Sequence, residues 1–336
     1  MLLFDKSSGI CYHIIGDDDM HSSPFEFSSD NKRYHTLSYH FRSIFGHKLY
    51  KAAIDCGFTC PNADGTKGTG GCIFCDGGSG YFTRPGLSVT TQLDSERKRL
   101  NKKYGSVPII AYFQANTNTY APITELREKY LEAASCPDVA AISIGTRSDC
   151  LPDEVLELIS DLNSRIPVTV ELGMQTVHNE TLRRINRCCD HEEFLEGYHR
   201  LKEKNIRVCL HIINGLPGET ADMMLETAKE IATLHPDGVK LQMLHVIQGT
   251  RLADEYSSGS ITLLSQEEYT DIIVRQLEIL PPDTVIERIT GDGDRRKLIS
   301  PMWSADKKSV IAGIDKRLSE LDTWQGRLYD NRRNSI

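Results

Sequence analysis

The sequence predicts an α/β protein built on a parallel sheet, and two observations carry that expectation. Six short apolar runs recur along the chain, and stretches with helical spacing separate them. Strands that alternate with helices of ten to fifteen residues fold into right-handed βαβ units. Six units can close partly into an open barrel or wind doubly around a flat sheet, and in both cases functional residues gather where strands end. A third observation agrees: several runs end in polar or glycine-rich text, DCGFTC, FQANTNT, GTRSD, ELGMQT, NGLPGE and QGTR.

The elements follow in order. Residues 1–30 form an N-terminal lead in which Asp17–Asp19 and Ser22-Ser23-Pro24 break any pattern, so little structure is expected there. Strands are expected at 52–54, 108–113, 139–144, 168–172, 208–213 and 239–246. Helices are expected at 123–134, 152–162, 191–204 and 220–234. Pro152 followed by Asp153 and Glu154 suits a first helical turn, where free N–H groups and the dipole favour acids. Residues 31–260 hold the repeating units. Residues 261–336 form a C-terminal extension with a helix at 265–280, a short strand near 284–289 and a long helix from Lys307.

At 336 residues with 39% hydrophobic and 26% charged side chains, the chain has the composition of a globular protein. It contains no apolar run of the eighteen residues or so that a membrane span needs. The N-terminus lacks the cationic start and apolar core of a secretory signal. A cytoplasmic protein without a membrane partner is therefore expected. Net charge is −8, yet residues 31–51 carry Lys32, Arg33, Arg42, Lys48 and Lys51 with no acid. From Asp292 onward ten Lys/Arg face seven acids. Two basic ends on an acidic body suggest flanks for an anionic partner.

Ten cysteines in such a chain argue against a disulfide framework. Four fall within twenty residues: Cys56, Cys60, Cys72 and Cys75, spaced C-x3-C and C-x2-C. Four thiolates at this spacing can hold a tetrahedral zinc, and three can hold an iron–sulfur cluster with one iron left open. Cys56 shares strand parity with Ala52 and Ile54 and is expected to face the barrel interior as a small apolar residue. The other three lie among seven glycines from Gly65 to Gly80, which lets the loop wrap a bulky cluster closely. Gly65-Thr66-Lys67-Gly68 lacks the pattern of a phosphate loop. The remaining six cysteines form no second metal-like spacing.

The stretch CPNADGTKGTGGCIFC, together with YFQANTNTYAP, IGTRSDCLPDEV, VELGMQT, INGLPGET and ERITGDG, resembles the radical S-adenosylmethionine superfamily. The similarity is to its YhcC/YtqA branch, which is related to the elongator catalytic subunit, and runs from about Arg33 to Tyr329. It implies a partial (β/α)6 TIM-type barrel with N- and C-terminal extensions. It also implies that Cys60, Cys72 and Cys75 bind a 4Fe-4S cluster whose fourth iron takes S-adenosylmethionine. One electron from an external reductant then yields methionine and a 5′-deoxyadenosyl radical, which takes hydrogen from substrate. Cys56 is not a ligand in this reading.

The resemblance further implies cofactor contacts by Glu171 (ribose hydroxyls or ammonium), Gln175, and Arg187 (the methionine carboxylate). It places Gln114 and Asn116 near the ammonium, His211 where some relatives carry an acid, and Gly215–Gly218 near adenine. The text INRCCD departs from the branch, which usually shows Gly-His at Cys188-Cys189. No second cluster motif, methylthiotransferase-type RNA module or acetyltransferase domain is visible. By analogy the expected substrate is a transfer RNA base, modified at the wobble uridine side chain. A small metabolite is the alternative substrate, and a non-catalytic zinc protein using all four cysteines is the alternative of another class.

Overall fold

The structure, a computed structural model, describes residues 2–4, 11–13, 25–28, 31–77, 83–114, 116–291 and 293–330. In the N-terminal lead, β1 (Leu2–Phe4) pairs antiparallel with β2 (Cys11–His13). Phe25 and Phe27 lie on Arg33 and His35, and most of the rest of the lead is outside the described residues. Then come α1 (Leu37–Phe45), β3 (Tyr50–Ile54), α2 (Val89–Tyr104), β4 (Ile109–Phe113), α3 (Ile123–Ala134) and β5 (Val139–Thr146). They are followed by α4 (Asp153–Asn163), β6 (Val168–Gln175), α5 (Asn179–Arg184), α6 (His191–Glu203), β7 (Arg207–Asn214) and α7 (Ala221–Leu234). The chain continues through β8 (Gly238–Met243), β9 (Val246–Ile247), α8 (Arg251–Ser257), α9 (Gln266–Ile279) and β10 (Val285–Arg288). It closes with β11 (Leu298–Ser300) and α10 (Lys307–Glu320).

Seven strands form one parallel sheet in the order β10-β8-β7-β6-β5-β4-β3. The six expected strands are all there. The seventh is β10, whose sequence lies in the extension; the sheet therefore runs past residue 261 without a break. A flat sheet would hold its edge strands about 29 Å apart, at roughly 4.8 Å per strand. Here Lys51 Nζ on one edge strand lies 2.8 Å from Glu287 Oε2 on the other, so the sheet curls into a partial barrel. The outer edge of β10 is covered, as edges must be: Ile286 N–H donates to the His35 carbonyl at 2.8 Å.

Side chains alternate across each strand. One set, including Ile54, Phe113, Ile144, Val170, Leu210 and Leu241, packs with the helices into the main core. The other set points into the barrel and is polar: Lys51, Tyr112, Glu171, His211, Lys240 and Glu287. Cys56 keeps parity with Ala52 and Ile54, but that parity faces the helices, where Cys56 packs on the main core. This corrects the expectation that it faces the interior. Burial there pushes its thiol up to about 12, so it stays protonated.

A smaller core lies under the cysteine loop. Ile73, 1% exposed, packs with Leu182, Ile185, Leu244 and Leu252. Its N–H donates to the Ile185 carbonyl at 3.0 Å, and its carbonyl accepts from Leu252 N at 2.9 Å. Among the described residues, no helix is long and apolar enough to cross a membrane.

Candidate active site

A cavity of about 680 Å³ opens at the carboxyl ends of the strands, within the size range of cofactor sites. Its lining gathers Cys60, Cys72, Cys75, Gln114, Asn116, Glu171, Gln175 and Arg187, whereas Gly215–Gly218, expected near adenine, are not among the lining residues. His211 lines it as well.

The cysteines come from the loop between β3 and α2. Cys75 N–H donates to the Cys72 carbonyl at 2.9 Å, which makes the C-x2-C pair one tight turn. Gly70 and Gly71 take φ of 76° and 69°, a backbone open to glycine, and bring the loop against the cavity. A single metal ion needs its ligands around one point, and among the described residues no three His, Cys, Asp or Glu side chains are so arranged. A 4Fe-4S cluster gives each thiolate its own iron, and Cys60, Cys72 and Cys75 all line this cavity. The fourth cysteine of a zinc reading, Cys56, sits in the helix layer.

Arg187 is buried beside these groups and donates from Nη2 to the Gly173 carbonyl at 2.8 Å. Gly173 leaves room for this arrangement: a Cβ there would stand 2.7 Å from Gln175 Nε2 and 3.0 Å from Arg187 Nη2, so the ends of both side chains would have to move. Gln175 and Asn116 both adopt positive φ, 70° and 58°, which turns their side chains at the strand ends. Asn116 Nδ2 donates to the Phe58 carbonyl at 2.8 Å and so ties its loop to the approach to Cys60.

Sequence reasoning passed over Arg147, which holds this wall. It is 2% exposed, pairs with Asp149 through Nε (2.8 Å) and Nη2 (2.7 Å), and donates to the Arg187 carbonyl (2.9 Å) and Cys188 carbonyl (3.1 Å). Burial opposes the charge on Asp149, but Arg147 and Lys67 hold its carboxyl down at about 2. The signal was present: an Arg-x-Asp pair at the end of the expected strand 139–144.

The barrel floor changes the reading of Glu171. Its side chain is fully buried, with one oxygen on Lys51 and the other on Lys240 and on His211 Nε2 at 2.9 Å. Glu171 is thus engaged by three protein groups and does not stand as a free acceptor for ribose or ammonium. Burial opposes its charge, yet Lys240 and Lys51 keep its carboxyl well below the usual range. Lys51 also reaches Glu287. Burial disfavours the charge on both lysines; the two carboxylates around Lys51 reverse this and raise its pKa. Lys240 shares only Glu171 and faces Lys51 and Arg288, so its pKa is lowered. Burial, then Lys240, brings His211 down to about 4, so it is neutral near pH 7 and donates Nε2–H to Glu171. Tyr112 lies against this set, with the Lys51 and Lys240 ammonium groups 5.0 and 4.9 Å from its ring centre.

The two basic ends do not flank the cavity together. Lys32 pairs with Asp315, Arg33 with Asp322, and Lys51 is buried in the floor. Lys48 precedes β3 and lies at the opposite end of the barrel. Among the described residues of the two ends, those of the 288–297 segment border the mouth, where Lys297 reaches Asp76 beside Cys75 at 3.1 Å.

Residues 65–231 match the Radical SAM superfamily and residues 236–320 the Radical_SAM C-terminal domain. The chain is 46% identical over 312 residues to YtqA of Bacillus subtilis (strain 168), covering 92% of this chain and 97% of that protein. The chain belongs to the radical SAM superfamily. Within it, the chain falls in the YhcC/YtqA branch: YhcC of Escherichia coli (strain K12) is 34% identical over 280 residues, covering 82% of this chain and 89% of YhcC. The branch is related to Elongator complex protein 3, and the fold of a Methanocaldococcus infernus Elp3 superposes with a TM-score of 0.65 at 20% identity. That alignment covers 82% of this chain and 64% of the other. A shorter stretch of 156 residues is 31% identical to a tRNA uridine(34) acetyltransferase of Methanocaldococcus infernus, 45% of this chain and 28% of that protein. Membership makes this a radical SAM enzyme, with a 4Fe-4S cluster and S-adenosylmethionine as its cofactors.

Proposed function

We propose that Cys60, Cys72 and Cys75 hold the cluster and that the bound enzyme modifies a transfer RNA base, at the side chain of the wobble uridine. The observation that carries the assignment is the gathering of the three thiols, Gln114, Asn116, Gln175 and Arg187 on one cavity. When bound, the cluster and S-adenosylmethionine supply a carbon-centred radical able to take hydrogen from an unactivated carbon.

The chain's own residues do the rest. Arg187 offers a guanidinium to the methionine carboxylate, a match of two parallel hydrogen bonds. Arg147 fixes the Arg187 turn from behind. Gln114 and Asn116 after β4, and Gln175 at the end of β6, supply amides for the ammonium and ribose. The Lys51–Glu171–Lys240–His211 set lies across the barrel beneath the cavity.

Support for the substrate comes from relatives whose names state action on tRNA uridine 34. The 288–297 segment at the mouth, with Arg295 and Arg296, suits a phosphate backbone. Binding should then weaken with salt, since phosphate contacts release counterions. Arg295→Glu and Arg296→Glu should weaken it further, with Lys48→Glu at the far end as the unaffected control. The direct test compares wobble nucleosides of tRNA from cells lacking this protein, complemented with the native chain or with Cys72→Ala. A nucleoside restored only by the native chain supports the reading. Identical tRNA in all strains rejects it in favour of a small metabolite.

A further inference from the structure

Asn62 lies between Cys60 and Cys72 and is completely buried. Its amide nitrogen has two hydrogens to give. One goes to the Asn186 carbonyl, and the nitrogen lies 3.6 Å from Cys72 Sγ for the other. Among the described residues the buried amide oxygen has no partner. A buried acceptor without a partner is destabilising, and a leucine of the same shape would avoid it. The amide is therefore useful here for its N–H side.

The surroundings hold that N–H in place. Gly68 leaves room for it, since a Cβ there would meet Asn62 Oδ1 at 2.4 Å and Cys188 Sγ at 2.7 Å. Asn186, at φ 54°, returns its own amide to the Thr69 (3.1 Å) and Gly71 (2.7 Å) carbonyls. Two asparagines thus stitch the cysteine loop to the turn that carries Arg187.

We infer that Asn62 is a positioning residue for the cluster, donating its side-chain N–H to the Cys72 sulfur and thereby raising the cluster's reduction potential. This rests on the reading of Cys72 as a ligand. Reduction adds negative charge that spreads onto the sulfurs, and a donor aimed at one of them favours the reduced state.

The test is an EPR-monitored potentiometric titration of the reconstituted full chain, with iron and sulfide content measured alongside. Asn62→Leu should keep its cluster and its fold. At a fixed applied potential its reduced-to-oxidised ratio should fall roughly tenfold, which is about 59 mV for one electron. Asn62→Ser, whose hydroxyl restores a neutral donor, should recover most of that ratio. Asn186→Gly cuts the stitches to Thr69 and Gly71 but leaves the Asn62 donor, and should lower iron content with the potential unchanged. A fully loaded Asn62→Leu with the native ratio overturns the inference. If Asn62→Leu takes up no cluster, Asn62→Ser decides: native loading and potential support the inference, and no loading overturns it. Cys72→Ala separates the parent reading, which fails if that variant retains the native cluster.

Discussion

Glu171→Leu tests the barrel floor. The floor holds two ammonium groups, Lys51 and Lys240, against two carboxylates, Glu171 and Glu287. Removing Glu171 leaves Lys51 on Glu287, but Lys240, with a side chain 3% exposed, keeps among the described residues only the neutral Tyr112, its hydroxyl at 3.5 Å and its ring centre at 4.9 Å. An ion-pair contact near 4 Å is worth about 4 kcal/mol at an effective dielectric of 20. Breaking a buried pair by deleting one partner costs about 3–5 kcal/mol, because the other charge stays buried. That is about a fifth or more of a typical domain's stability. Deleting both, Glu171→Leu with Lys240→Met, leaves the Lys51–Glu287 pair balanced and should recover most of the loss. Urea unfolding of the native chain, both single variants and the double variant gives the coupling directly. We expect a coupling of 2 kcal/mol or more, on the scale of contacting buried charges. A Glu171→Leu loss below about 1 kcal/mol, or a double variant no better than the single, would refute the balanced floor.

Three further outcomes follow from the same geometry. Ile73→Ala should cost about 2–5 kcal/mol by thermal or urea unfolding and lower cluster loading, since Ile73 anchors the cysteine loop in the smaller core. Gly173→Ala should weaken S-adenosylmethionine binding at least tenfold in equilibrium dialysis while leaving unfolding near native, because its methyl group displaces Gln175 and Arg187. Burial lowers His211 and His35 from 6.5 to about 4; the unfolded chain therefore binds more protons between pH 6.5 and 4, and stability falls as pH falls through that window. At pH 5 the loss should be about 2 kcal/mol per histidine relative to pH 7, and equal urea midpoints at the two pH values would contradict it.

The outer face of the barrel was legible because its strands read as short apolar runs between helices with clear spacing. Helices at 123–134 and 191–204 fall within a residue of α3 and α6. Asp190 and Glu193 mark the start of α6 as a capping box. The helix α2 was not singled out: VTTQLDSERKRLNKKY buries only Val89, Gln92, Leu93, Glu96 and Leu100, so its apolar stripe is thin. The cavity-lining residues were legible through motif text at strand ends. The floor was not, since Lys51, Glu171 and Lys240 read separately as a surface cation, a cofactor ligand and a strand residue. Only the curl of the sheet brings residues 51, 171, 240 and 287 together. Likewise parity put Cys56 on one face correctly, but which face meets helices depends on the direction of curl.

The most direct measurement is 5′-deoxyadenosine formation after anaerobic reconstitution with iron and sulfide, S-adenosylmethionine and a one-electron reductant. We expect product from the native chain and from Cys56→Ala, and none from Cys60→Ala, Cys72→Ala or Cys75→Ala. Product that persists without one of those three thiols, or that disappears with Cys56, would contradict the assignment of the cluster to this cavity wall.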